Sequence, residues 1–252
     1  MNAIFTVILP AAGNSTRFAH GDKLMVDLAG KSILQRSVEL FAAREDVAAI
    51  IIAAGAERLA SYREHLRPVS CRKALHLTTG GSERWESVYK ALCSDRLTTE
   101  FVAIHDAARP LTPAAVIDAA FAGAVQHGAA LPVLAEPATL KRLNADRLVT
   151  GTVSRAGLYQ AQTPQCFRTD ALRLAFSKML SAGGLEDITD DAQLMERSGA
   201  VVYGTAGSPL NLKITLMDDV RLAAAILHQA DRSPQNTNEF PAGTGNPMGG
   251  RS

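Results

Sequence analysis

The sequence predicts an α/β fold with a mainly parallel sheet, on three observations. Short apolar runs such as "VAAIIIAAG" (47–55) lack polar alternation, the pattern of strands buried on both faces. Segments with apolar residues at helical spacing separate these runs. One stretch, 136–167, breaks the rhythm with short alternating segments around a polar turn, which is how a β-hairpin reads.

In chain order, "FTVIL" (5–9) is the first strand and "SILQRSVELFAA" (32–43) the first helix. Strands follow at 47–55 and at "ALHLT" (74–78), then a helix at "RWESVYKALC" (84–93) and a strand at "FVAIHD" (101–106). "PAAVIDAAFAGAVQHG" (113–128) reads as a helix with Thr112 as N-cap and Pro113 at its first position. A strand is expected at "AALPVL" (129–134), and a hairpin from "LKRL" and "LVTGTVSR" turning at Asn144–Asp146. It either projects from the sheet or lies along its edge. Helices return at 169–180 and 190–199, a strand pair is expected from "AVVYGTAG" and "LNLKIT", and a last helix from 218–229. Residues 1–230 read as one domain. From Asp231 to Ser252 the chain is rich in Pro, Gly, Asn and Ser and reads as a disordered tail.

Composition narrows the function. The 252 residues are 47% hydrophobic and 20% charged, enough for a real core, and the net charge of +1 argues against a broad nucleic-acid face. Cys71, Cys93 and Cys166 have no metal-ligand spacing and are odd in number, so free thiols in a reducing cytoplasm are expected. No apolar run approaches a membrane span, and no basic stretch precedes the first apolar run, so neither a membrane anchor nor a leader is expected.

Polar residues collect where ligands bind in open α/β sheets, beyond the carboxyl ends of the strands. After the first strand come Ala11, Ala12, Gly13, Asn14 and Ser15, then Arg17 and Lys23. Small side chains open the main chain to a ligand, and the two cations suit a triphosphate. The plainer alternative is a glycine turn with two solvated cations. "TTGGSERWESV" (78–88) offers Gly80 and Gly81 for close backbone approach to a base, with Ser82 and Ser87 as hydroxyl partners. Its plainer alternative is a turn capped by Ser82. "HDAARP" sets Asp106 at a strand end, where a carboxylate can hold Mg²⁺, cap the turn or pair with Arg109. His105 reads as a packed histidine rather than a base. Lys213 alternates with Leu210, Leu212, Ile214 and Leu216, which places it on the polar strand face with Asn211.

Together these segments resemble the 2-C-methyl-D-erythritol 4-phosphate cytidylyltransferase family. The carriers are "LPAAGNSTRF…DKL", "GGSERWESV", "HDAARPL", "TLKR", "TVSRAGLYQAQTPQCFR", "DITDDAQLMERSG" and "LNLKIT", in the family's order over about residues 5–228. Each piece is weak and the ordered set is strong. The resemblance implies a Rossmann-like nucleotidyltransferase fold, a mainly parallel twisted sheet flanked by helices, with a projecting β-hairpin dimerisation arm at about 136–160. It implies CTP, a polyol phosphate and Mg²⁺ as reactants and cofactor, and a homodimer. By position, Arg17, Lys23, Arg155 and Lys213 would be catalytic cations. Ala11, Ala12, Gly13, Gly80, Gly81, Ser82 and Ser87 would line the nucleotide site. Asp106, which would also face the metal, would bind the acceptor with Arg109, Thr139, Thr163 and Thr189. Thr139 and Arg155, on the arm, would serve the partner's site.

Three positions depart from the family's usual residues. Ser15 replaces a glycine, Asp22 stands where a proline precedes the lysine, and Ser82 stands where aspartate is common. The alternatives are a cytidylyltransferase for another polyol phosphate, such as ribitol 5-phosphate, and a nucleotide-binding module without turnover.

Overall fold

The computed structural model describes residues 3–13, 18, 21–71, 73–185 and 187–232. Strand β1 (Phe5–Ala11) leads past the small hairpin β2 (Asp27–Leu28) and β3 (Lys31–Ser32) into helix α1 (Ile33–Ala42). Ser32 caps α1: its hydroxyl accepts from the Gln35 amide, and the Gln35 side chain accepts from the Ser32 amide in return. Next come β4 (Val47–Ala54), α2 (Leu59–His65), β5 (Ala74–Thr79), α3 (Arg84–Leu92), β6 (Phe101–Ile104) and α4 (Ala114–His127). Then follow β7 (Ala129–Ala135), β8 (Leu140–Leu143), β9 (Val149–Val153), β10 (Tyr159–Ala161) and β11 (Gln165–Arg168). The chain continues through α5 (Thr169–Ser181), α6 (Asp191–Arg197), β12 (Tyr203–Ala206) and α7 (Met217–Arg232).

The central sheet has eight strands. β5, β4, β1 and β6 are parallel neighbours in that order. β11 runs antiparallel between β6 and β7, and β12 lies parallel to β7. Side chains alternate between two apolar layers, because successive residues of a strand point to opposite faces. Val7, Leu9, Ile50 and Ile52 face α1, α4 and α7. Ile8, Ile51, Val102 and Ile104 face α3, α5 and α6. Burial on both faces is why these strands read as unbroken apolar runs. Parallel pairing brings the carboxyl ends of β1, β4, β5 and β6 to one edge.

The hairpin β8–β9 stands as a two-stranded sheet of its own. Its turn is tied by the Leu148 amide to the Asn144 side chain at 2.9 Å, with Arg147 at φ 64°. Leu143, Leu148 and Val149 are exposed on it.

Four expectations need correction. "LNLKIT" is not a strand; β12 finds its partner in β7, and residues 210–215 run as irregular chain. Burial there departs from alternation, with Asn211 buried beside Ile214 and Leu210 and Leu216 exposed, because Asn211 is claimed by Gln162, Thr163 and Thr112. Thr112 does not cap α4; Pro113 holds that place, and the Thr112 hydroxyl turns back to the Arg109 carbonyl and Asn211. Helix α7 extends to Arg232, two residues into the stretch read as tail, whose remainder, 233–252, lies outside the described residues.

Candidate functional site

The aligned strand ends and the 210–216 segment enclose a cavity of about 290 Å³. β1 contributes Pro10, Ala11, Ala12 and Gly13; the loop before α3 contributes Ser82 to Arg84; β6 runs into Asp106, Ala107 and Ala108. Lys23 and Lys213 enter from opposite ends of the chain, Lys23 donating to the Ile214 carbonyl at 3.2 Å. A second, smaller cavity of about 190 Å³ is lined by Arg109, Thr163, Gln165, Thr189 and Asp190. The two share Arg84, Asp106 and Lys213 as a common wall.

That wall is an ion cluster. The Lys213 ammonium lies 2.8 Å from Asp106, Arg84 Nε 3.3 Å and Arg109 Nε 3.6 Å. Arg84 also reaches buried Asp191 at 2.7 Å. Burial alone would push the Asp106 pKa up; Arg84, Lys213 and Arg109 overcome it and hold the carboxyl far below its usual range. Burial likewise works to lower the Arg84 pKa, and Asp191 and Asp106 more than offset it. Asp106 is therefore a permanent anion and Arg84 a permanent cation across the physiological range.

Behind the wall sits His105, fully buried. The Thr163 hydroxyl accepts from the Asp106 amide at 3.1 Å, so its proton is directed to His105 Nδ1, also at 3.1 Å. Nε2 then carries the ring proton and donates to the Arg109 carbonyl, 3.1 Å away. Burial lowers the His105 pKa to about 4, so the ring is neutral and, as expected, packed rather than basic.

The fold distributes the predicted residues unevenly around the two cavities. Ala11, Ala12, Gly13, Lys23, Ser82, Ser87, Asp106 and Lys213 line the first cavity, and Arg109, Thr163 and Thr189 the second. Gly80 and Gly81 stand behind the lining. A Cβ on Gly80 would meet Ala12 and Ser87 at 2.6 and 2.7 Å, and one on Gly81 would meet Glu86 at 2.1 Å. Ser87 serves this turn, accepting from the Gly81 amide and donating to the Glu83 carbonyl. Ser82 is not the cap of α3, where Glu83 stands; its amide and hydroxyl both donate to Glu86. Arg109 spends two guanidinium nitrogens on the Asn211 and Ala161 carbonyls and acts as a staple as well as a cavity wall. Thr139 and Arg155 are exposed on the arm, away from both cavities, with Arg155 donating to the Pro137 carbonyl. Arg17 and Ser15 lie outside the described residues.

Arg84 and Asp191 went unselected in the sequence. Arg84 opens α3 between Glu83 and Glu86, neighbours that suit a solvated helix cation; only the fold shows it pinned between two buried carboxylates.

A family model described as IspD, 2-C-methyl-D-erythritol 4-phosphate cytidylyltransferase, matches residues 5–229. A protein of that name from Rhodopirellula baltica is 38% identical over 90% of this chain and 96% of its own length. One from Symbiobacterium thermophilum is 37% identical over 90% of this chain and 94% of its own. Among solved structures, the Francisella tularensis 2-C-methyl-D-erythritol 4-phosphate cytidylyltransferase is 28% identical with TM-score 0.75, covering 88% of this chain and 98% of that one. The Thermus thermophilus protein of the same name is 27% identical with TM-score 0.74, covering 90% and 100%.

Proposed function

The chain belongs to the 2-C-methyl-D-erythritol 4-phosphate cytidylyltransferase family, and on that footing we propose that it transfers CMP from CTP to 2-C-methyl-D-erythritol 4-phosphate, releasing pyrophosphate. The observation that carries this reading is the pair of adjoining cavities with a shared cationic wall. Two phosphorylated reactants repel one another, and a wall of Arg84 and Lys213 around one ionised carboxylate draws both to a common boundary. The larger cavity, floored by Ala11, Ala12 and Gly13 and flanked by Lys23, suits the nucleotide. The smaller, with the Thr163 and Thr189 hydroxyls, suits the polyol phosphate.

The chemistry needs no covalent protein intermediate. An acceptor phosphate oxygen forms a bond to the α-phosphorus of CTP, the α–β bridging P–O bond breaks, and its electron pair leaves with pyrophosphate. Lys23 is assigned to the triphosphate of bound CTP, where it also meets the charge that grows on the leaving side, and Lys213 to the acceptor phosphate. Their contribution is electrostatic preorganisation and alignment.

Among the described residues no group of three or more His, Cys, Asp or Glu side chains could cage a metal. A single ionised carboxylate at the wall, Asp106, fits Mg²⁺ brought in by the triphosphate, which needs only one or two protein carboxylates. Asp106 would hold Mg²⁺ there, and the ion would neutralise phosphate charge.

The arm supports a homodimer: its Leu143, Leu148 and Val149 are exposed among the described residues, and Thr139 and Arg155 at its base line neither cavity. In the dimer they are assigned to the partner's acceptor site. No helix among the described residues is long and apolar enough to cross a membrane; the cysteines are free, which agrees with a cytoplasmic setting.

Pyrophosphate release is the direct test, measured with CTP, Mg²⁺ and either methylerythritol phosphate or ribitol 5-phosphate. Turnover with methylerythritol phosphate alone is expected. Turnover with ribitol 5-phosphate alone, or tight CTP binding with no pyrophosphate from either acceptor, overturns the reading.

A further inference from the structure

We infer that Asp22, Tyr62 and Arg58 form a brace outside the cavity that positions Lys23 for the triphosphate, an inference that rests on the assignment of Lys23 above. Lys23 opens a single short turn, Lys23–Met25, and Asp22 caps it: one carboxylate oxygen accepts from the Leu24 amide at 3.1 Å. The other oxygen accepts from the Tyr62 hydroxyl at 2.6 Å. Tyr62 is completely buried in the core beneath α2, so its ring cannot drift and its hydroxyl needs this partner. Arg58, just ahead of α2, stands 3.9 Å from the same carboxylate oxygen and donates to the Gly13 carbonyl at 3.0 Å.

One element thus grips the chain at two described points: at Gly13, where β1 hands over to the cavity floor, and at Asp22, where the chain delivers Lys23. Neither Asp22, Tyr62 nor Arg58 lines either cavity, so they act through position and not through substrate contact. The far end of Lys23 is steadied independently by the Ile214 carbonyl. With main chain and ammonium both fixed, Lys23 need not be ordered when nucleotide arrives, and ordering a long cation is a cost that binding otherwise bears. Asp22 is therefore not a charge set against Lys23: its oxygens are turned to the Leu24 amide, Tyr62 and Arg58.

The test is a double-mutant cycle of Tyr62→Phe with Lys23→Ala, read on CTP affinity by titration calorimetry, which needs no turnover. Tyr62→Phe removes one buried hydroxyl and keeps the ring. Contacts that act through a shared partner are non-additive, so CTP affinity should fall about fivefold with Lys23 present and less than about twofold in the Lys23→Ala background. Equal losses in both backgrounds, or no loss in the first, overturn the brace. Lys23→Ala that leaves CTP affinity unchanged overturns instead the assignment of Lys23. Should Tyr62→Phe fail to fold, Arg58→Gln enters the same cycle with the same expected pattern.

Discussion

Lys213 shows how a residue's chemistry depends on what its carboxylate neighbour already holds. Its side chain is 42% exposed and pairs with Asp106 at 2.8 Å. Lys213 is itself half open to water, so its ammonium can turn from Asp106 to an incoming phosphate. Asp106 keeps Arg84 and Arg109 when that happens. Lys213→Ala should therefore lower turnover on the order of a hundredfold, as loss of a preorganised donor does, with CTP affinity changed by less than about threefold. Steady-state rates beside calorimetric CTP binding check this. Collapse of CTP affinity with turnover intact at saturating CTP would place Lys213 on the nucleotide instead.

Among the elements, the arm carries the sharpest consequence. A two-stranded hairpin is marginal alone in water, and β8–β9 exposes Leu143, Leu148 and Val149 rather than burying them. If two arms complete each other's sites, Arg155→Ala and Lys213→Ala damage different halves of one composite site. Each alone should be nearly inactive. Equal mixtures that exchange subunits should regain about a quarter of wild-type activity, because half of the dimers are mixed and each mixed dimer has one intact site. Pyrophosphate release from the mixture gives the measurement. No recovery after confirmed subunit exchange would mean that Arg155 serves its own chain.

At the scale of the whole molecule, the buried polar layer behind the site links folding to pH. His105 is neutral in the fold, with its pKa lowered by burial to about 4 against 6.5 unfolded. Between those values the unfolded chain binds the extra proton, so stability is full above the unfolded value and declines as pH falls through the window, by on the order of 3 kcal/mol. Asp106, held below its ordinary range, shifts the balance the same way at still lower pH. The unfolding midpoint should fall between pH 6.5 and about 4, and His105→Gln should flatten that part of the curve. Identical slopes for the two proteins would show that His105 does not govern it.

The layer pattern was legible from the sequence because burial on both faces writes itself as unbroken apolar runs, as in Val47–Ala54, and helical spacing marks what covers them. The arm was legible from its alternation, and the loops that bear Ala11 to Gly13, Ser82 and Asp106 from small or charged residues at strand ends; Lys213 was legible as a cation but not as a residue of irregular chain. These are local signals, set by a residue and its near neighbours. The antiparallel entry of β11, the irregular course of 210–216 with Asn211 inward, and the pinning of Arg84 between Asp106 and Asp191 are contacts between residues far apart in the chain. Nothing in the local pattern distinguishes a solvated arginine from one caught between two buried carboxylates. That distinction comes from which groups the packed layers leave without water, and so it is made only when the chain has closed.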